Sequence, residues 1–468
     1  MRQIQRPRRF RRRGWIILAA FLLAALLASV AGAIVTNLHA QEQSHYQSAV
    51  GTPVFVPTPT PTHTPLAPGS TIGLPPLSPI SGPSGKGTPP RLPPDIGVIY
   101  TSQNGIYLLK NDTAEPEQLN TPGYDPLVAP LLTNDGRLLY AGAGLYLADL
   151  LHSDTTPPLQ IASINTATQV IASMTISPDG QQVFWSVEPH DGNGTISLYE
   201  ATITATGATQ PRQLYSQPAN ICPCYMIFGL GGPAADGMPT LLLTDNLGTP
   251  ADQGTGLWSF DPTQQQIGPE VLAEDQGQAP LALSPDRTQL AFAPTTGEVP
   301  EPTDNSVPSQ IGSDPYGNSL SVTSWNTSGP GNPITIVSPQ TDVHNFSAYH
   351  WITSPVFSPD SQSLAYIQFS SDDTGPYDRH STLYVASVDN SSPPVPVAIF
   401  SARLVELGTW LDSHTLLLYA DGGLYALDTH TAAISLLSVV PAYSQIIGLL
   451  HVTEQPPVNS GCQPQCAR

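Results

Sequence analysis

Positive charge is the scarcest commodity in this chain, with 16 Lys and Arg against 36 Asp and Glu over 468 residues. Arg2, Arg6, Arg8, Arg9, Arg11, Arg12 and Arg13 take seven of the 16, so the chain beyond them is strongly acidic. A face that neutralises phosphates cannot be built from the remainder, which excludes nucleic acid as a partner. Cysteine is also rare: Cys222, Cys224, Cys462 and Cys466 are the only four. Their Cys-x-Cys and Cys-x3-Cys spacings are not those of common zinc modules, and no thioredoxin-like pattern surrounds them. Asp191-Gly192-Asn193-Gly194 and Asp372-Asp373 fall short of an EF-hand loop and read as solvated turns. Gly82-Pro83-Ser84-Gly85 lacks the strand-turn-helix setting of a nucleophile elbow. No metal, cofactor or catalytic set is therefore expected. A carboxylate pair or histidine inside the fold would leave an enzyme acting on carbohydrate or peptide as the alternative.

One uncharged apolar run is present, at residues 15–35, directly after the arginine cluster. About 20 apolar residues cross a bilayer as a helix, and arginines on one flank keep that flank cytoplasmic. The expectation is a cytoplasmic tip at 1–14 and a transmembrane helix at 15–36, with the rest of the chain outside a bacterial cell membrane. Ala31-Gly32-Ala33 and Leu38-His39-Ala40 have the small residues of a signal-peptidase site, so a cleaved, secreted form is the alternative. Residues 37–95 are rich in Pro, Thr, Ser and Gly, with Thr58-Pro59-Thr60-Pro61-Thr62 at their centre. Such a segment buries too little apolar surface to fold and reads as an extended, disordered stalk rising about 3 Å per residue.

From residue 96 to 452 the sequence repeats itself. A small residue or Ser/Thr precedes Leu or Ile, and usually an aromatic, at Gly105-Ile106-Tyr107, Gly144-Leu145-Tyr146, Ser197-Leu198-Tyr199, Gly256-Leu257-Trp258, Ser319-Leu320-Ser321, Thr382-Leu383-Tyr384 and Gly423-Leu424-Tyr425. Upstream of six of these lies a turn built on Asp135, Asp179, Asp236, Asp286, Asp360 or Asp412, followed by an apolar run such as Val183-Phe184-Trp185 or Leu416-Leu417-Leu418. Asp accepts from nearby amides, Pro presets φ and Gly tolerates positive φ, so each turn joins two strands. A fourth short run follows each aromatic strand. Four strands per unit, seven times over, predict an all-β, seven-bladed β-propeller, with six or eight blades as alternatives. The first unit lacks an inner strand, and Ile446-Ile447-Gly448-Leu449-Leu450 is expected to supply it and close the ring. A tail, 453–468, follows.

The Ser-Pro-Asp-Gly turn, apolar strand and Leu-Tyr strand resemble the TolB-like, WD40-like repeats of bacterial propellers, most closely at Ser177 to Trp185 and Phe357 to Tyr366. The resemblance implies the fold and no activity, because its residues make turns.

In that topology the Asp turns share one face with the incoming stalk, and the long insertions gather on the opposite, distal face. A rigid scaffold carrying long loops on one face is where recognition resides. The candidate ligand-binding residues are Glu188, His190, Asp191, Tyr316, His344, His350, Asp372, Asp373, Tyr377, Asp378, Arg379 and His380, with Glu298, Glu301, Asp304 and Asp314 beside them. The expected partner is an extracytoplasmic protein, peptide or glycan, and the expected role is binding or scaffolding; the extracellular half of a sensor is a further alternative. Four cysteines outside the membrane allow three disulfide pairings, and pairing within Cys222/Cys224 and within Cys462/Cys466 is favoured because the tail leaves on the face opposite Cys222.

Overall fold

The computed structural model of this chain describes residues 87–110, 115–152, 156–190, 192–204, 207–233, 239–245, 255–273, 280–294, 317–326, 329–339, 350–370, 380–400 and 405–452. All lie in one compact unit, 72–468. The basic tip, the apolar run, most of the proline-rich segment, Asp236 and the tail lie outside the described residues.

Among the described residues strands follow one another without an intervening helix. Blade 1 holds β1 (Ile96–Ser102), β2 (Gly105–Leu109) and β3 (Glu117–Gln118). Blade 2 holds β4 (Leu131–Leu132), β5 (Arg137–Ala141), β6 (Gly144–Asp149) and β7 (Leu159–Ser163). Blade 3 holds β8 (Gln169–Ile176), β9 (Gln182–Pro189), β10 (Thr195–Thr204), the two-residue β11 (Gly207–Ala208) and β12 (Arg212–Pro218). Blade 4 runs β13 (Tyr225–Pro233), β14 (Pro239–Asp245), β15 (Thr255–Asp261) and β16 (Gln266–Leu272). Blade 5 runs β17 (Leu281–Leu283), β18 (Gln289–Phe292), β19 (Leu320–Asn326), β20 (Gly329–Pro330) and β21 (Ile334–Val337). Blade 6 is β22 (His350–Phe357), β23 (Ser363–Ser370), β24 (His380–Ser387) and β25 (Val395–Phe400). Blade 7 is β26 (Val405–Trp410), β27 (Thr415–Ala420), β28 (Gly423–Asp428) and β29 (Ile434–Val439), and β30 (Gln445–His451) follows.

Seven antiparallel sheets result, six of them built from consecutive strands. The seventh has the order β3-β2-β1-β30, with Val98 opposite Leu449 and Ile96 opposite His451. This is a seven-bladed β-propeller, including the degenerate units around Asp236 and Leu320. The first strands of successive blades lie against one another, as β8 does with β13 and β26 with β30, and so line the axis.

Seven hydrophobic clusters fill the spaces between neighbouring blades. Leu139 and Trp185 meet between blades 2 and 3, Leu383 and Leu416 between blades 6 and 7, and Val98 and Leu424 between blades 7 and 1. A middle strand packed on both faces is predominantly apolar, and β1 and β27 are buried at every position, with their polar residues Thr101, Ser102 and Thr415 at the strand ends. Packing starts upstream of β1: Leu92 is buried in the cluster between blades 7 and 1, and the Ser435 hydroxyl donates to the Pro90 carbonyl.

Candidate functional site

Strand direction sorts the connections onto two faces. First-to-second and third-to-fourth connections lie on one face; the first-to-second turns are tight, as at 133–136, 177–181, 284–288 and 358–362, and the third-to-fourth connections reach nine residues at 150–158. Second-to-third connections and those between blades lie on the other and include 246–254, 293–319, 338–349 and 371–379.

The short connections are stabilised by one device. The hydroxyls of Thr133, Ser177, Ser284 and Ser358 donate to Oδ1 of Asp135, Asp179, Asp286 and Asp360 at 2.5, 2.5, 2.6 and 2.6 Å. The amides of Gln182, Gln289 and Ser363 donate back to the three serine hydroxyls at 2.8, 2.9 and 2.9 Å. The same Asp oxygens accept from the amides of Gln181, Thr288 and Gln362 at 3.0 Å each. All four carboxyls are held below their ordinary 3.8. For Asp179 and Asp360 the serine hydroxyl is the main cause; for Asp135 and Asp286 burial, which pushes upward, is outweighed by the hydrogen bonds.

A cavity of about 880 Å³ opens on this face, lined by the turn residues of blades 2, 3 and 5 and by Gly231 of blade 4. Asp179, Asp286 and Arg287 all line it. At its edge Arg137 pairs with Asp135 at 2.7 Å and donates to the Gly180 carbonyl at 3.1 Å, tying blade 2 to blade 3. Gly180 has φ 66, and a Cβ there would stand 2.0 Å from the Arg137 guanidinium. Glycine at this position thus answers to both backbone and neighbour.

The long-connection face carries a second cavity, of about 510 Å³, between Gln103–Gly105 and Gln118–Tyr124 of blade 1. Two apolar side chains on that face stand far out, Leu127 at 84% exposure and Tyr443 at 70%. Between blades 3 and 4, Glu188 and Asp245 approach the Cys222–Cys224 turn: the Cys224 amide donates to Asp245 Oδ1 at 2.5 Å. The two sulfurs stand 4.0 Å apart, and the Cys224 thiol is raised to about 11 by burial first, then by Cys222, Asp245 and Glu188.

Other candidates fall as follows. His190 is exposed and its ring bonds the Thr166 carbonyl at 3.1 Å, bracing the neighbouring connection. His350 opens β22, half-buried, and burial lowers its pKa against backbone hydrogen bonds with Asn318 and Ser338, so its ring is neutral at pH 7. His380 opens β24 opposite Ser370. Asp191, Tyr316, His344, Asp372, Asp373, Tyr377, Asp378, Arg379, Cys462 and Cys466 lie outside the described residues. Among the described residues no three His, Cys, Asp or Glu side chains converge as a metal site. The sequence places Arg287 in the Ser284-Pro285-Asp286-Arg287 turn and assigns it no further role; the available signal was an arginine at the turn position that glycine fills in blades 2 and 3.

No family model matches the chain, and no curated protein is similar to it. Solved structures similar to it include a protein from Lactobacillus plantarum (15% identity, TM-score 0.44, 76% of this chain and 97% of the other). A candidate TolB from Agrobacterium tumefaciens is similar at 15% identity and TM-score 0.34, over 66% of this chain and 91% of that one. An oligogalacturonate lyase from Vibrio parahaemolyticus is similar at 13% identity and TM-score 0.41, over 75% and 87%. The fold itself rests on the strand pairing described above.

Proposed function

We propose that the chain is an extracytoplasmic binding propeller, tethered to the membrane by residues 15–36 and a proline-rich stalk, that recognises a protein, peptide or glycan through its long-connection face. The observation that carries this reading is the asymmetry of the connections. A ring built only for stability has no use for long segments, and here connections as long as 293–319 and 338–349 join strands on one face, while no connection between strands on the other exceeds nine residues. Exposed Leu127 and Tyr443 on the long-connection face supply the apolar anchors that interfaces use. The described segment 87–95 arrives on the opposite face, with Gly87 against Thr431 and Ala433, so a tether there leaves the long connections free.

Two measurements test the reading. Membrane fractionation with N-terminal sequencing is expected to find an intact N-terminus in the pellet; soluble protein beginning near residue 34 or 41 would make it a secreted propeller. Photocrosslinking residues placed at Asn193, on the long-connection face, and at Thr263, on the other, are expected to trap extracellular material at Asn193 alone. Equal trapping at both positions would remove the assignment of the face. In an oxidising compartment Cys222 and Cys224 pair with each other, and thiol titration of the exported protein finds neither free.

A further inference from the structure

Arg287 occupies the fourth position of its turn, where Gly136, Gly180 and Ser361 stand in blades 2, 3 and 6. All four have left-handed backbone, with φ 62 at Arg287, 80 at Gly136, 66 at Gly180 and 59 at Ser361. A long side chain is disfavoured there, and glycine in two of the other turns shows what the backbone prefers. The arginine is also half-buried in the wall of the 880 Å³ cavity, and burial pulls its pKa below the ordinary arginine value. No carboxylate among the described residues pairs with it. A guanidinium held partly out of water, on a strained backbone and without a carboxylate partner among the described residues, costs free energy that a bound anion would offset.

The same wall offers the opposite charge. Asp179 uses Oδ1 for Ser177 and Gln181, no described hydrogen bond reaches its Oδ2, and the only described cation acting on it is Arg137, which is already engaged with Asp135 and the Gly180 carbonyl. Asp286 is likewise engaged at Oδ1 by Ser284 and Thr288. A simple anion would meet Arg287 but also these two carboxylates, whereas a simple cation would meet the arginine. A molecule carrying both charges satisfies each side. The cavity lies within the range of about 300–1,000 Å³ typical of small-molecule sites.

We propose that the Asp-turn face binds a small zwitterion, an amino acid or a short peptide, with its carboxylate on Arg287 and its ammonium on Asp179. The site is on the face opposite the long connections, so it stands whatever partner they take.

Titration calorimetry on the full chain at pH 7 separates the possibilities. The probes are glycine, triglycine, N-acetyl-triglycine, triglycine amide and N-acetyl-triglycine amide. Saturable binding is expected from glycine or triglycine, and which of the two binds distinguishes a free amino acid from a peptide. Blocking either end is expected to weaken binding at least tenfold, and blocking both to abolish it. Arg287→Gly installs the residue of blades 2 and 3, so it is expected to keep or raise the melting temperature while losing zwitterion binding at least tenfold. Asp179→Asn is expected to erase the difference between triglycine and N-acetyl-triglycine. Absence of saturable heat from both zwitterions, equal binding of the four triglycine forms, or full binding by a folded Arg287→Gly protein would each overturn the proposal.

Discussion

The aromatic residue of the repeat owes its place to a partner one strand away. Tyr107, Tyr146, Tyr199 and Tyr384 sit directly opposite Tyr100, Tyr140, Trp185 and Tyr366 in the register of the second and third strands. Each pair is stacked, with ring centroids 5.3, 5.3, 5.6 and 5.4 Å apart. Such pairs contribute about 0.5–1.5 kcal/mol beyond the area they bury. The geometry puts the phenol of the second strand deep in the sheet: burial first, and then the facing Tyr107, pushes Tyr100 up to about 12, and Tyr140 is raised for the same reasons by burial and Tyr146. The Tyr140 hydroxyl is buried with no hydrogen-bond partner among the described residues. Tyr140→Phe keeps the stack and removes that cost, so urea unfolding is expected to show a gain of about 1 kcal/mol. A loss of similar size would mean that the hydroxyl is bonded after all. The aromatic in each third strand was legible from its spacing alone. Its partner was not singled out, because pairing depends on register, which the apolar run of the second strand leaves open.

At the scale of the element, turn and bulge do different work. The Asp of each turn was legible, but the hydroxyl two residues earlier, which donates to Asp and accepts from the next strand, was not recognised as half of the device. The third-to-fourth strand pairing held a further regularity. In six blades the register slips between the Leu and the residue after it, as between Leu145 and Tyr146 or Leu424 and Tyr425. The residue left over on the fourth strand is Ile161, Leu214, Val271, Ile336, Val397 or Leu437. A bulge adds twist and re-aims a side chain, and five of these six are buried where an edge strand would otherwise face solvent. The turns predict a pH response. Asp135, Asp179, Asp286, Asp360 and Asp412 have folded pKa values below the unfolded 3.8, so their contribution is complete above that value and is lost as pH falls through the folded values. The melting temperature is expected to be flat above about pH 5 and to drop steadily below about pH 4. Ser358→Ala removes a hydroxyl that donates to Asp360 and accepts from Ser363, and is expected to cost about 1–3 kcal/mol at neutral pH and less at pH 3. An equal cost at both would separate the hydroxyl from the carboxylate.

For the whole molecule, blades are stitched together by bonds that no single repeat reveals. The Ile227 amide donates to the buried Ser173 hydroxyl at 2.7 Å from blade 4 to blade 3, and the Trp410 indole donates to the Val356 carbonyl at 3.3 Å from blade 7 to blade 6. The ring and its blade count were legible because the repeat unit and the supersecondary unit coincide. The Asp-turn cavity was not, since it is shared by four blades whose turn residues lie far apart in sequence. The contact most exposed to test is the pairing of β1 with β30, the only sheet whose strands come from both ends of the described fold. Without β30, the backbone of β1 becomes an open edge, and Ile446 and Leu450 leave the clusters on either side of blade 1. Burying such side chains is worth about 1.5–3 kcal/mol each, against a total stability of about 5–15 kcal/mol. A chain ending at Tyr443 is therefore expected to unfold without cooperativity and to self-associate through β1. Adding a peptide of residues 444–452 in trans is expected to restore a monomer with a sharp transition. If the shortened chain were already monomeric and cooperative, the seam between blades 7 and 1 would have to be held by the cluster around Leu92, Val98 and Leu424 alone.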